Sequence, residues 1–106
     1  MTDDSEQAIE AEIRAKGLTA PRLTPEHIDN TIRREQYYVF PGTTVTVCCL
    51  TLENGFQVIG HSAAASEKNF DREIGCKVAR RNAREKIWPL EGYLLKEQMS
   101  EIPNCG

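Results

Sequence analysis

A chain of 106 residues with 40% apolar content fits one globular domain with one modest core. The formal charge of −3 argues against a uniformly basic module for duplex DNA, yet leaves room for a small phosphate ligand held by a local patch. No apolar run approaches the roughly 20 residues that span a bilayer, and the acidic start lacks a signal peptide's basic-then-apolar pattern, so a cytoplasmic protein with no membrane partner is expected.

Charge is uneven along the chain: Asp3, Asp4, Glu6, Glu10 and Glu12 crowd the beginning, and a basic cluster runs from Lys77 to Lys86. Cys48, Cys49, Cys76 and Cys105 have no CxxC spacing, and His27 and His61 are the only histidines, so reduced structural thiols and no metal site are expected. A chain this short buries a smaller share of its surface than a large domain, which favours self-association.

Residues 1–22 read as an extension, partly helical or mobile, with Ile9 and Ile13 four apart ahead of Gly17. Thr24-Pro25 predicts the first firm helix, because threonine caps exposed N–H groups and proline suits the first helical position. Ile28, Ile32 and then Tyr37 give that helix a thin apolar stripe, and Pro41-Gly42 ends the segment. Strands are predicted at about 43–52 and 56–62, joined by Asn54-Gly55 in a type I′ turn. The first strand is apolar on both faces, so one face should meet a helix and the other a neighbour.

Cys76, Ala79, Ala83, Ile87, Leu90 and Leu94 recur at spacings of three and four, which predicts a long helix starting near residues 69–71 and packed on the hairpin. Pro89 falls inside the pattern and predicts a kink, or two abutting helices. The expected fold is therefore α+β: an N-terminal helix, an antiparallel β-hairpin with an Asn-Gly turn, and a long C-terminal helix kinked at Pro89, forming one domain over 23–99 with a tail at 100–106.

Two constellations carry chemistry. Lys77, Arg80, Arg81 and Arg84 form a basic stripe on one side of the long helix, and guanidinium groups suit phosphate or carboxylate. The same stripe also fits a solvated face, with Glu73 and Lys77 as an ordinary helix ion pair. Tyr37, Tyr38 and Phe40 adjoin Pro41-Gly42 and the hydroxyls of Thr43, Thr44 and Thr46, which joins stacking surfaces to phosphate-holding groups. The plainer alternative is that the rings close the core and the threonines favour strand. Catalysis finds no carrier: His61-Ser62 would point to opposite faces of a strand, and no phosphate-cradling glycine motif is present. A non-enzymatic binding protein without a cofactor is expected.

Several tracts together carry a resemblance: Glu35-Gln36-Tyr37-Tyr38, the run Thr46 to Leu52, Asn54-Gly55-Phe56 with Val58 and Gly60, and Asn69-Phe70-Asp71. In the same order follow Glu73-Ile74-Gly75, Ala79-Arg80, Asn82-Ala83 and the tract Lys86 to Leu94. Over about positions 24 to 96 the chain resembles a family of small tailed-phage proteins that includes the anti-CBASS sponges, which sequester cyclic oligonucleotide messengers. The resemblance implies a homohexamer that binds cyclic dinucleotides between protomers and cyclic trinucleotides at a separate site. The nearest counterparts of the dinucleotide pocket are Tyr37 or Tyr38 with Thr43, Thr44 and Thr46 around Gly42, a segment without lysine. Arg80 and Arg84 are the candidates for the trinucleotide site. Two rival classes are a phage protein inhibiting a host enzyme through its acidic arm, and a nucleic-acid accessory protein using the basic stripe.

Overall fold

The computed structural model describes residues 5–18 and 20–101. Among them the order is α1 (Glu6–Ala15), α2 (Pro25–Asn30), β1 (Ile32–Val39), β2 (Val45–Leu52), β3 (Gln57–Ala63), a short 3₁₀ turn, α3 (Arg72–Glu85) and α4 (Ile87–Ser100). Asp3, Asp4, Cys105 and the tail beyond Glu101 lie outside the described residues. The three strands form one antiparallel sheet in the order β1-β2-β3.

Thr24 caps α2 as its sequence implies, its hydroxyl accepting from the His27 N–H at 3.1 Å. The helix stops at Asn30, however, and the residues expected to prolong it form β1. Thr31 closes the helix by donating its hydroxyl to the Ile28 carbonyl at 2.7 Å. β1 is an edge strand that pairs only with β2, so it needs few apolar residues on either face, and its polar middle, Arg33 to Gln36, hides the period of two. The β1–β2 turn uses Pro41-Gly42, with Gly42 at φ +75°. The predicted hairpin forms, but its turn is not type I′, because Asn54 keeps a negative φ and only Gly55 is positive, at +90°. Gly55 N–H donates to the Leu52 carbonyl at 2.9 Å, giving a three-residue loop closed by a glycine bulge.

Register divides β2 into two faces. Thr46, Cys48, Leu50 and Leu52 are buried toward α3, where Val58, Ala79, Ala83, Ile87 and Ile28 complete the core. Burial raises the Cys48 thiol above its ordinary range. Val47 and Cys49 point the other way, beside Tyr38, Ile59 and His61, and among the described residues no element covers that side.

α3 begins at Asp71, whose carboxylate accepts from the Ile74 N–H at 3.1 Å, and lies across β2 and β3. It sits close because Gly60 faces the backbone of Ala79 and Ala83. Side chains of α3 and of Lys86 at its end also close the outer edge of β3: Asn82 donates to the His61 carbonyl at 2.9 Å and Lys86 to the Ile59 carbonyl at 2.5 Å. The bend between α3 and α4 falls at Lys86, ahead of the predicted Pro89. Pro89 occupies the first turn of α4, where it needs no N–H partner, and its ring excludes a straight helix through the carbonyl of Glu85 four residues back. Leu90 and Leu94 stay largely exposed instead of joining the core, beside a gap they share with Leu52, Asn54 and Phe56 at the hairpin end. Trp88 is partly buried against the core.

Candidate functional site

Tyr37 and Tyr38 are neighbours on a strand, so they serve opposite faces. Tyr38 lies on the open face, 54% exposed and edge-on to Phe40 with ring centroids 4.9 Å apart. Tyr37 pairs with Cys48 on the helix-facing side. Because α3 lies over β2 and β3, β1 is left uncovered there, and a groove of about 520 Å³ runs between the two, lined by Tyr37, Arg72, Glu73, Cys76, Lys77 and Arg80.

The groove joins an aromatic ring and a thiol to three cations. Its charges are organised by Glu35, whose carboxylate accepts from the Tyr37 hydroxyl at 2.8 Å and from Arg80 Nε at 3.0 Å. Burial, then the bond to Glu35, pushes the Tyr37 phenol well above its ordinary 10, so it stays neutral and donating. Lys77 pairs loosely with Glu73 at 3.5 Å, both exposed, as the helix spacing implies.

Of the hydroxyls read as phosphate holders, those of Thr43 and Thr44 are engaged by backbone groups, and that of Thr46 is buried without a hydrogen-bond partner among the described residues. Thr43 donates to the Phe40 carbonyl at 2.8 Å and accepts from the Val45 N–H at 3.1 Å, which ties the turn around Gly42. Thr44 donates to the Ala64 carbonyl at 2.6 Å. Thr46 is fully buried, its side chain against Gly75 of α3. None of the three faces the groove that holds Tyr37.

Arg84 stands apart from Arg80 although both lie on α3. Its guanidinium donates to Asp29 Oδ1 at 2.7 Å, to Glu6 Oε2 at 2.6 Å and to the Pro25 carbonyl at 3.2 Å, and the side chain is only 12% exposed. The bond to Glu6 raises its pKa, against the opposing effect of burial and with help from Asp29. The sequence reading thus paired Arg80 with Arg84, whereas the structure brings Arg80 together with Tyr37. Arg72, Cys76, Glu35, Asp29 and Glu6 are additions to the site residues expected from the sequence. The alternation Glu35-x-Tyr37 was the available signal, and counting Tyr37 in the apolar stripe of the first helix concealed it.

A second carboxylate secures α1: Glu10 meets Arg22 through both oxygens, at 2.8 Å each. The hydrogen bond from Arg22 holds the Glu10 carboxyl below its ordinary 4.5. A depressed carboxylate stabilises above its unfolded pKa and loses that contribution as pH falls through the folded one. Acidification below the ordinary glutamate value of 4.5 is therefore expected to loosen α1 progressively, before the helix-on-sheet core opens. Hydrogen exchange along a pH series checks the order, and simultaneous loss of both would contradict it.

Fold and groove together define a small two-layer α+β protein with an open groove between an edge strand and a cationic helix. Residues 23–99 match the model of the Phage protein (N4 Gp49/phage Sf6 gene 66) family, and the chain belongs to that family. Neither a curated protein nor a solved structure gave a match. Among the described residues, no helix is long and apolar enough to cross a membrane.

Proposed function

We propose that this phage protein binds and sequesters cyclic oligonucleotide second messengers, cyclic di- and trinucleotides, in the host cytoplasm without cleaving them, and so blunts antiphage signalling. The observation that carries this reading is the groove in which the Tyr37 ring adjoins Arg72, Lys77 and Arg80. Aromatic faces stack on bases of any identity, and guanidinium groups bind phosphate in pairs of parallel hydrogen bonds. The family resemblance over the same residues supports the ligand class. Sequestration asks only for affinity and enough sites, which suits a homo-oligomer. The uncovered sheet face supports self-association: Ile59 there is 51% exposed beside Tyr38, Val47 and Cys49.

Calorimetry against a panel of cyclic di- and trinucleotides tests the reading, with saturable binding expected and intact ligand recovered on heating. Absence of binding across the panel, or binding that appears only with long polynucleotides and collapses with salt, would overturn it. Light scattering at micromolar concentration should give a multiple of the chain mass, with Ile59→Glu shifting it toward one chain. A native monomer would remove the oligomer from the reading.

A further inference from the structure

We infer that α1 is a removable acidic cover over Arg84, its Glu6 carboxylate standing where a phosphate oxyanion would bind, so that a multi-phosphate ligand must displace α1 to reach that guanidinium. The inference rests on the reading above that the cations of α3 receive phosphate. It extends that reading from the groove to Arg84, outside it, and names a regulation of that residue by a segment that precedes the residues matched by the family, 23–99.

Three observations support it. First, α1 is held by charge more than by packing. None of its residues is buried, Ile9 is 47% exposed, and a gap of about 340 Å³ lies beneath it, lined by Glu6, Ile9, Glu10, Pro25, Glu85 and Trp88. Second, its grip on α3 is directional: Glu6 takes one terminal nitrogen of Arg84, while Asp29 takes Nε and the Pro25 carbonyl the other terminal nitrogen. Asp29 and Pro25 belong to α2 and keep Arg84 oriented when Glu6 leaves. Third, two carboxylates share one guanidinium, so Glu6 and Asp29 repel each other and the hold of Arg84 on α1 is weaker than that of an isolated ion pair. A carboxylate and a phosphate oxygen make the same charge-assisted hydrogen bond to guanidinium, so the two compete for one site.

Hydrogen exchange and calorimetry on the whole chain test this with two probes, a cyclic triadenylate and inorganic tripolyphosphate. Saturating probe is expected to raise exchange across residues 6–15 while the amides of β2 and α3 stay protected. Glu6→Gln is expected to raise exchange there without probe and to tighten probe binding about tenfold, a coupling of ordinary size. Glu12→Gln removes the same charge from α1 at the Lys16 pair, 2.9 Å long and away from Arg84, and should change neither quantity. If tripolyphosphate releases α1 while the cyclic trinucleotide binds to no variant, the messenger reading fails and the cover stands. If α1 stays protected at saturation with both probes, or if Glu12→Gln tightens binding as much as Glu6→Gln, the cover is overturned and Arg84 is a structural tie.

Discussion

Gly60→Ala is expected to cost on the order of 3–5 kcal/mol, placing it among the rare, severe single substitutions. A Cβ at this position would lie 2.1 Å from the Ala83 nitrogen, 2.4 Å from the Ala79 oxygen and 2.8 Å from the Ala83 Cα. All three are backbone atoms, so no rotamer relieves the overlap and α3 itself must lift. Lifting it withdraws Ala79, Ala83 and Ile87 from Cys48, Leu50 and Val58, and strains the bonds from Asn82, Lys86 and Ser62 that tie helix to sheet. Small domains hold about 5–15 kcal/mol in total, so the loss consumes much of the margin and should lower Tm by at least about 12 °C. Gly75→Ala offers a graded comparison, since its Cβ would meet a side-chain oxygen, Thr46 Oγ1, at 2.8 Å. A milder loss is expected there. Thermal unfolding of the two variants decides the matter, and a Gly60→Ala Tm within a few degrees of native would mean that α3 does not approach the sheet this closely.

The parts of this fold legible in the sequence are those fixed by local chemistry. Thr24-Pro25 caps a helix, Pro41-Gly42 turns the chain, Asn54-Gly55 closes a hairpin, and Ala79 and Ala83 on α3 with Ile87 at the start of α4 mark the buried helical face. β1 was not legible, because an edge strand left uncovered by the helix tolerates Arg33, Arg34, Glu35 and Gln36 in its middle. That loss propagated into the site: with Ile32 and Tyr37 counted in the apolar stripe of the first helix, Tyr37 and Tyr38 looked interchangeable, although one faces the groove and the other the open sheet. The fates of Arg80 and Arg84 were hidden for another reason. Their carboxylate partners lie 45, 55 and 78 residues away, at Glu35, Asp29 and Glu6, and helical spacing alone carries no information about distances of that kind. The bend at Lys86 was legible in cause and displaced in position, since proline acts on the turn before it.

Because Tyr37 and Arg80 share one groove, both substitutions are expected to weaken cyclic-dinucleotide binding, and by less than the product of their separate effects. Tyr37→Leu keeps an apolar side chain against the core and removes the stacking surface, which is worth about 1–3 kcal/mol per base, a loss of roughly 5- to 150-fold. Arg80→Ala removes a cation and also leaves the Glu35 carboxylate without its guanidinium partner, so the incoming phosphate meets a negative charge that Arg80 now neutralises. Its effect should therefore at least match that of Tyr37→Leu. Glu35→Gln should act in the opposite sense, since the amide oxygen still accepts from the Tyr37 hydroxyl while the repelling charge is gone. Tyr38→Ala, on the other side of the sheet, discriminates between locations. A loss there equal to that of Tyr37→Leu, in a variant with native assembly, would move the pocket to the open face. Weakening confined to Tyr37 and Arg80, with a tightening at Glu35, would fix the ligand between β1 and α3, because only in that groove do all three side chains act on the same phosphate.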